Sequence, residues 1–137
     1  MERVAYFTQP RLGCGAAIVV GGRILLLRRL RPPEAGHWGL PGGKVDWLEP
    51  VARAVEREVA EELAIRIAAK RLLCVADQID AAGGEHWVAP IYLVTEFSGT
   101  PRLVEPEKHA GFGWFARDAL PTPLTVATRA ALAALPV

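Results

Sequence analysis

The sequence has little of what marks specialised chains. Its two cysteines, Cys14 and Cys74, lie far apart in apolar, strand-like runs, which excludes a disulfide-stapled scaffold and reads as buried free thiols. Three histidines, His37, His86 and His109, occur without an HxxxH or CxxC companion, which argues against a zinc site of the usual kind. Neither sign of charge is in excess. Sixteen Lys and Arg against fifteen Asp and Glu leave a net +1, so no global field attracts a nucleic-acid polymer or an anionic membrane. No apolar run reaches the roughly 20 residues of a membrane span. The opening MERVAYFTQPRLG lacks the basic start and apolar stretch of a signal peptide, and a cytoplasmic location is expected.

What is present is an ordinary globular composition, 51% apolar and 23% charged, in a length that supports one core and not two. Residues 1–137 are therefore read as a single domain. CGAAIVV and RILLLRRL, joined by Gly21 and Gly22, read as a hairpin, because paired glycines supply the positive φ angles of a tight turn. LLCVADQI and HWVAPIYLVTEF around DAAGGE read as a second hairpin. Pro90, which cannot donate to a ladder, suggests an edge or a bulge there. A helix is expected from about Glu49 to Leu63 with Pro50 in its first turn, and a second over TPLTVATRAALAAL. ARDALP, after the strand GFGWF, reads as a single helical turn. The elements alternate without a βαβ rhythm, so the fold class is α+β.

The first helix contains EREVAEE. At about 100° per residue, Val51, Val55 and Val59 form a stripe. Glu58 and Glu62 fall within roughly 60° of its centre and Glu61 further round, while Arg53 and Ala60 point away. Carboxylates on a core-facing stripe need positive charge nearby, and Arg57, one turn before Glu61, is one cation for several anions. A divalent ion would offset the remainder. Glu58, Glu61 and Glu62 can converge on a hard cation that prefers oxygen, which fits Mg2+, with Mn2+ expected to substitute. Such a site suits phosphate chemistry.

Gly43, Glu49, Arg57, Glu58, Val59, Glu61, Glu62 and Ile65, with GLPGGK before them, resemble the signature G-x5-E-x7-R-E-U-x-E-E-x-G-U of the Nudix hydrolases, where U is a bulky aliphatic residue. Ala64 stands where the signature has its last glycine. A glycine at a helix end commonly takes a left-handed conformation, so the helix is expected to end differently here. The resemblance implies an alpha-beta-alpha sandwich with a mixed sheet and a metal-dependent hydrolase of nucleoside diphosphates linked to another group. It implies Glu58 and Glu62 as principal metal ligands, Glu61 as ligand or neighbour, and the Gly43 carbonyl as a further ligand. Arg57 would orient a glutamate, and Glu49 would support the loop or reach a second metal through water. The family's base varies, with Glu58 the first choice here and Glu105 or Glu107 the alternatives.

EPEKHAGFGWFARDALP is similar to a segment of the MutT-related nucleoside triphosphate pyrophosphohydrolases, which implies a nucleoside or deoxynucleoside triphosphate substrate cut to monophosphate and pyrophosphate. The alternative is an ADP-ribose or nucleotide-sugar pyrophosphatase, whose subfamilies often carry a proline about fifteen residues past the box that is missing here. A noncatalytic nucleotide-binding module is a third reading. Lys44, Arg28 and Arg29 are candidate phosphate cations, Lys44 first because it follows the glycine pair. Trp38, Trp87, Trp114 and Phe115 are candidate stacking surfaces for a base, with Trp38 the best placed in sequence. The partner is a small nucleotide, and the family also implies a homodimer as one option.

Overall fold

The computed structural model describes residues 9–136; most of the opening stretch that was read as lacking a leader, residues 1–8, lies outside the described residues. β1 (Arg11–Val20) and β2 (Arg23–Arg29) pair antiparallel around Gly21 and Gly22, whose φ angles are 60° and 75°. This is the first expected hairpin. After β3 (Trp38–Gly39) and β4 (Gly42–Lys44) comes α1 (Val51–Leu63), then the second hairpin of β5 (Arg71–Asp80) and β6 (Glu85–Val94), then β7 (His109–Ala116) and α2 (Val126–Ala134). ARDALP contributes one hydrogen-bonded turn, Ala119 N–H to the Ala116 carbonyl at 3.0 Å. No helix among the described residues is long and apolar enough to cross a membrane.

β1 organises the mixed sheet. It runs parallel to β6 along one side, antiparallel to β4 along the other, and antiparallel to β2 at its end. β2 in turn pairs with β3 and β7. Residues alternate between faces of a strand, so Cys14, Ala16 and Ile18 meet Ala54, Val55, Val59 and Leu63 of α1 in one core. Ala17 faces the other way and joins Ile24, Leu26, Ile91 and Ala131 of α2. The result is the expected sandwich of helix, sheet and helix. Each fully buried Val or Leu of α1 contributes roughly 1.5–3 kcal/mol of burial. Both cysteines are free, Cys14 buried and Cys74 half-buried.

Of the two readings of Pro90, the edge is excluded, since β6 lies between β1 and β5, and the local irregularity is found: the β1–β6 ladder is interrupted between Leu12↔Val88 and Gly15↔Ile91, where the missing N–H falls, and β5 shifts register nearby between Leu72 and Cys74. Two local expectations are corrected. α1 starts at Val51, with Pro50 as an extended N-cap at ψ 142°. Ala64 does not change the helix end: it takes the left-handed conformation itself, φ 59° and ψ 31°, and donates to the Ala60 carbonyl at 3.0 Å.

A left-handed alanine costs about 1 kcal/mol relative to glycine. Ala64→Gly is therefore expected to stabilise the protein by about 0.5–1 kcal/mol, seen in urea unfolding as a higher midpoint at unchanged slope. A lower midpoint would show that other contacts set this backbone.

Candidate functional site

α1 carries the acidic cluster because its buried valines fix which way the remaining side chains point. Arg53 and Ala60 are exposed, as their wheel positions predict. Glu62 shares the buried side at 6% exposure, Glu58 is largely covered, and Glu61 is about half exposed at 47%. The Glu62 Oε1 accepts the Gly42 N–H at 2.8 Å. Gly42 has a φ of 157°, and a Cβ there would collide with the Cys14 carbonyl of β1. A Cβ at Gly43 would collide with the Glu58 carboxylate. The glycine pair thus lets β4 lie against β1 on one side and against two carboxylates of α1 on the other.

Arg57 gathers the rest. Its Nε and one terminal nitrogen grip both Glu49 oxygens at 2.8 and 2.9 Å, a bidentate pair. The same terminal nitrogen donates to the Lys44 carbonyl at 3.0 Å and lies 3.4 Å from Asp46. The other terminal nitrogen donates to Glu58 at 2.9 Å and to Glu61 at 3.1 Å. Arg57 therefore ties the loop before α1 to the two carboxylates it precedes.

Electrostatics divide these acids. The Arg57 hydrogen bonds hold Glu49 down at about 2. Burial pushes Glu58 up despite Arg57, and pushes Glu62 up to about 8 against the opposing Gly42 hydrogen bond. Among the described residues Glu62 faces no lysine or arginine within bonding reach; its neighbour is His109, whose Nε2 is 3.6 Å from Glu62 Oε2. Burial lowers the His109 pKa, with the Arg29 charge second.

The second contributor is the turn before β7. Val104 N–H donates to the Glu62 carbonyl at 3.2 Å, and the Lys108 and His109 amides donate to the Glu105 carbonyl at 2.9 and 3.1 Å. This folds Glu105 and His109 onto Glu62. One ligand atom from each of the three lies within 4.8 Å of the others. Glu105 also accepts from Lys108 Nζ at 3.2 Å, while Glu107 is exposed. The residue that sequence reading missed is His109, set aside for want of a motif. Its company is Glu62 on a distant helix, and the only local signal was the nearby Glu105.

The remaining candidates divide by face. A cleft of about 230 Å3 opens on the α2 side of β4, lined among others by Gly43, Lys44, Arg29, Glu34, Gln78 and Trp87. There Glu34 accepts from Gln78 Nε2 at 3.1 Å and from the Val126 N–H at 2.9 Å. Trp38 instead packs in the α2-side layer, edge-on to Phe115 with ring centroids 5.1 Å apart. Trp114 stacks on Phe97 in the α1-side core. Trp87 is thus the aromatic candidate that lines the cleft. Arg28 is exposed and contacts the Gly36 carbonyl at 3.4 Å. A larger cavity of about 550 Å3, lined by Arg66, Lys70, Arg71 and residues 93–98, shares no residue with the acidic cluster.

Glycine strand, arginine hub and glutamate helix at these spacings match one family model, the NUDIX domain, over residues 10–135. The chain belongs to the NUDIX family. It is 67% identical to a structure described as a MutT NUDIX hydrolase from Burkholderia pseudomallei, with a TM-score of 0.91 over 93% of this chain and 99% of that one. It is 43% identical over 89 residues to the "Putative 8-oxo-dGTP diphosphatase 2" of Mycobacterium tuberculosis, covering 63% of this chain. The match spans 61% of that relative's length. An ADP-ribose pyrophosphatase of Methanocaldococcus jannaschii is 28% identical over 112 residues, covering 82% of this chain and 66% of the other.

The residues fit a divalent cation, because Glu62 is a buried carboxylate with no Lys or Arg partner among the described residues, beside a second acid and an imidazole whose Nε2 is 3.6 Å away. With no metal added, a Glu62 pKa raised from 4.5 to about 8 stabilises the fold below about pH 4.5, and that contribution is lost as pH rises through about 8. Glu62→Gln is expected to remove this part of the pH dependence. The check is thermal unfolding of both proteins with chelator across this range: the difference in Tm between wild type and variant should move against the wild type as pH rises. A constant difference would refute the assignment.

Proposed function

We propose that the protein is a divalent-metal-dependent hydrolase that cleaves a nucleoside or deoxynucleoside triphosphate to monophosphate and pyrophosphate, with Mg2+ as cation and Mn2+ able to substitute. The observation that carries this reading is the convergence of Glu62 and Glu105 with His109, while Glu58, held by Arg57, lies against Gly43, the neighbour of the Gly42 that bonds Glu62. Glu58, Glu62 and Glu105 would hold the cation, with Glu61 and the Gly43 carbonyl adjacent. When bound, the ion neutralises phosphoryl charge and lowers the pKa of water.

The chain's own groups do the rest. Arg57 fixes the Glu58 carboxylate in one orientation, and burial raises that group's basicity, which makes Glu58 the first choice to take the proton of the attacking water. Glu105 is the second choice, and the exposed Glu107 is the least favoured. Lys44, at the cleft, and Lys108, beside Glu105, supply positive charge for phosphoryl oxygens. The cleft is below the roughly 300 Å3 at which whole-ligand pockets begin, so it takes part of a nucleotide, with Trp87 offering a face to the base. Trp38 and Arg28 are weaker candidates for substrate contact given where they sit.

The triphosphate reading is supported by the similarity to the mycobacterial relative. ADP-ribose is the second reading, favoured by the similarity to the archaeal relative. A noncatalytic module has no need of an intact carboxylate set.

The test is incubation with Mg2+ and separate pools of nucleoside triphosphates, deoxynucleoside triphosphates and ADP-ribose, followed by phosphorus NMR with a chelator control. Pyrophosphate and monophosphate from a triphosphate pool are expected, with turnover reduced at least about 100-fold in a folded Glu62→Gln variant. AMP and ribose phosphate from ADP-ribose alone would transfer the assignment to the second reading. Near-wild-type turnover in the variant would discard Glu62 as a ligand.

A further inference from the structure

We infer that the imidazole of His109 is itself a ligand of the divalent cation, so that the centre is a mixed nitrogen and oxygen site that binds Mn2+ more tightly than Mg2+. The inference rests on the metal reading of the carboxylate cluster and adds a ligand outside the signature helix.

His109 opens β7, and its pairing with Arg29 of β2 follows a register shift between Arg28 and Arg29. Such an irregularity re-aims a side chain relative to a regular ladder. Here the ring ends up 7% exposed. Its Nδ1 is buried with no hydrogen-bond partner, and Nε2 stands 3.6 Å from Glu62 Oε2, beyond hydrogen-bond reach. The ring therefore faces two carboxylates without bonding to either.

That spacing is wrong for a hydrogen bond and right for ligands sharing an ion. With bonds of about 2.0–2.2 Å, neighbouring ligand atoms lie about 3 Å apart and opposed ones about 4.3 Å apart. The 3.6 Å between Nε2 and Glu62 falls in this interval, and the 4.8 Å bound on the three-atom set needs only a slight contraction. Glu62 Oε1 is already engaged by the Gly42 N–H, which leaves Oε2 for the ion.

The chemical consequence is selectivity. Mg2+ favours oxygen donors and near-ideal octahedral geometry, whereas imidazole suits the transition metals. A nitrogen ligand in an otherwise oxygen set therefore shifts preference toward Mn2+.

The test uses the full-length protein and Mn2+ alone, read by electron spin echo envelope modulation. Nitrogen modulation is expected in the wild type, changing to the 15N pattern when histidine alone is 15N-labelled, which requires no variant. His109→Gln should abolish it and weaken Mn2+ binding about tenfold or more, with a smaller change for Mg2+ measured by competition. Mn2+ bound at the site without histidine modulation, or modulation that persists in a folded His109→Gln protein, would overturn the inference while leaving the carboxylate centre intact. Mn2+ binding that is indifferent to Glu62→Gln would displace the metal centre itself, and the His109 assignment with it.

Discussion

The burial of one carboxylate constrains the rest of this site. Glu62 lies on the core-facing side of α1 because the helix period leaves it nowhere else once Val55 and Val59 are buried. Its single strong partner is a backbone amide, and that amide belongs to Gly42, the residue whose lack of a side chain lets β4 approach β1. Helix, glycine strand and central strand are thus locked by one group whose ionised form is unfavourable there. A buried carboxylate costs several kcal/mol unless compensated, and the compensation that the surrounding residues offer is a set of further donors to a cation.

Arg57 answers a different part of the same problem. With Glu49, Glu58, Glu61 and Asp46 around it, it has far more negative charge within reach than it can balance. Its strongest grip is on Glu49, away from the buried acids. The arginine therefore serves to fix the loop and to orient Glu58, and leaves Glu62 unneutralised. A lysine could not do this, since a point charge cannot hold both Glu49 oxygens while reaching a neighbouring carboxylate.

How much of this was legible in the sequence follows from the range of each interaction. The helix face, the Glu58 and Glu62 positions and the two hairpins are set by periods of a few residues and by glycine pairs, so they could be read directly. The order of strands around β1 could not, because parallel pairing of β1 with β6 leaves no local mark. Pro90 left an edge and a bulge open for the same reason: proline excludes a hydrogen bond, and the structure meets that by interrupting one ladder instead of placing the strand at an edge. Ala64 was misjudged because propensity is a weak prior; packing on both sides of the helix end outweighs about 1 kcal/mol of backbone strain. His109 was invisible because its partners are supplied by tertiary structure, through a turn held by the Glu105 carbonyl with its two amide donors and by the Val104 N–H on the Glu62 carbonyl.

The position of β4 connects the two halves of the site. On one face its glycines admit the carboxylates of α1, and on the other the same residues line the cleft with Trp87, Glu34 and Gln78. A side chain on this strand would separate the two regions, whereas bare backbone leaves them in contact past its edge. Residues that select the base can then vary on the α2 side without disturbing the acids on the α1 side, because the core between them is built from different side chains. This separation gives a physical reason why one chain can be similar both to a relative named for 8-oxo-dGTP and to one named for ADP-ribose.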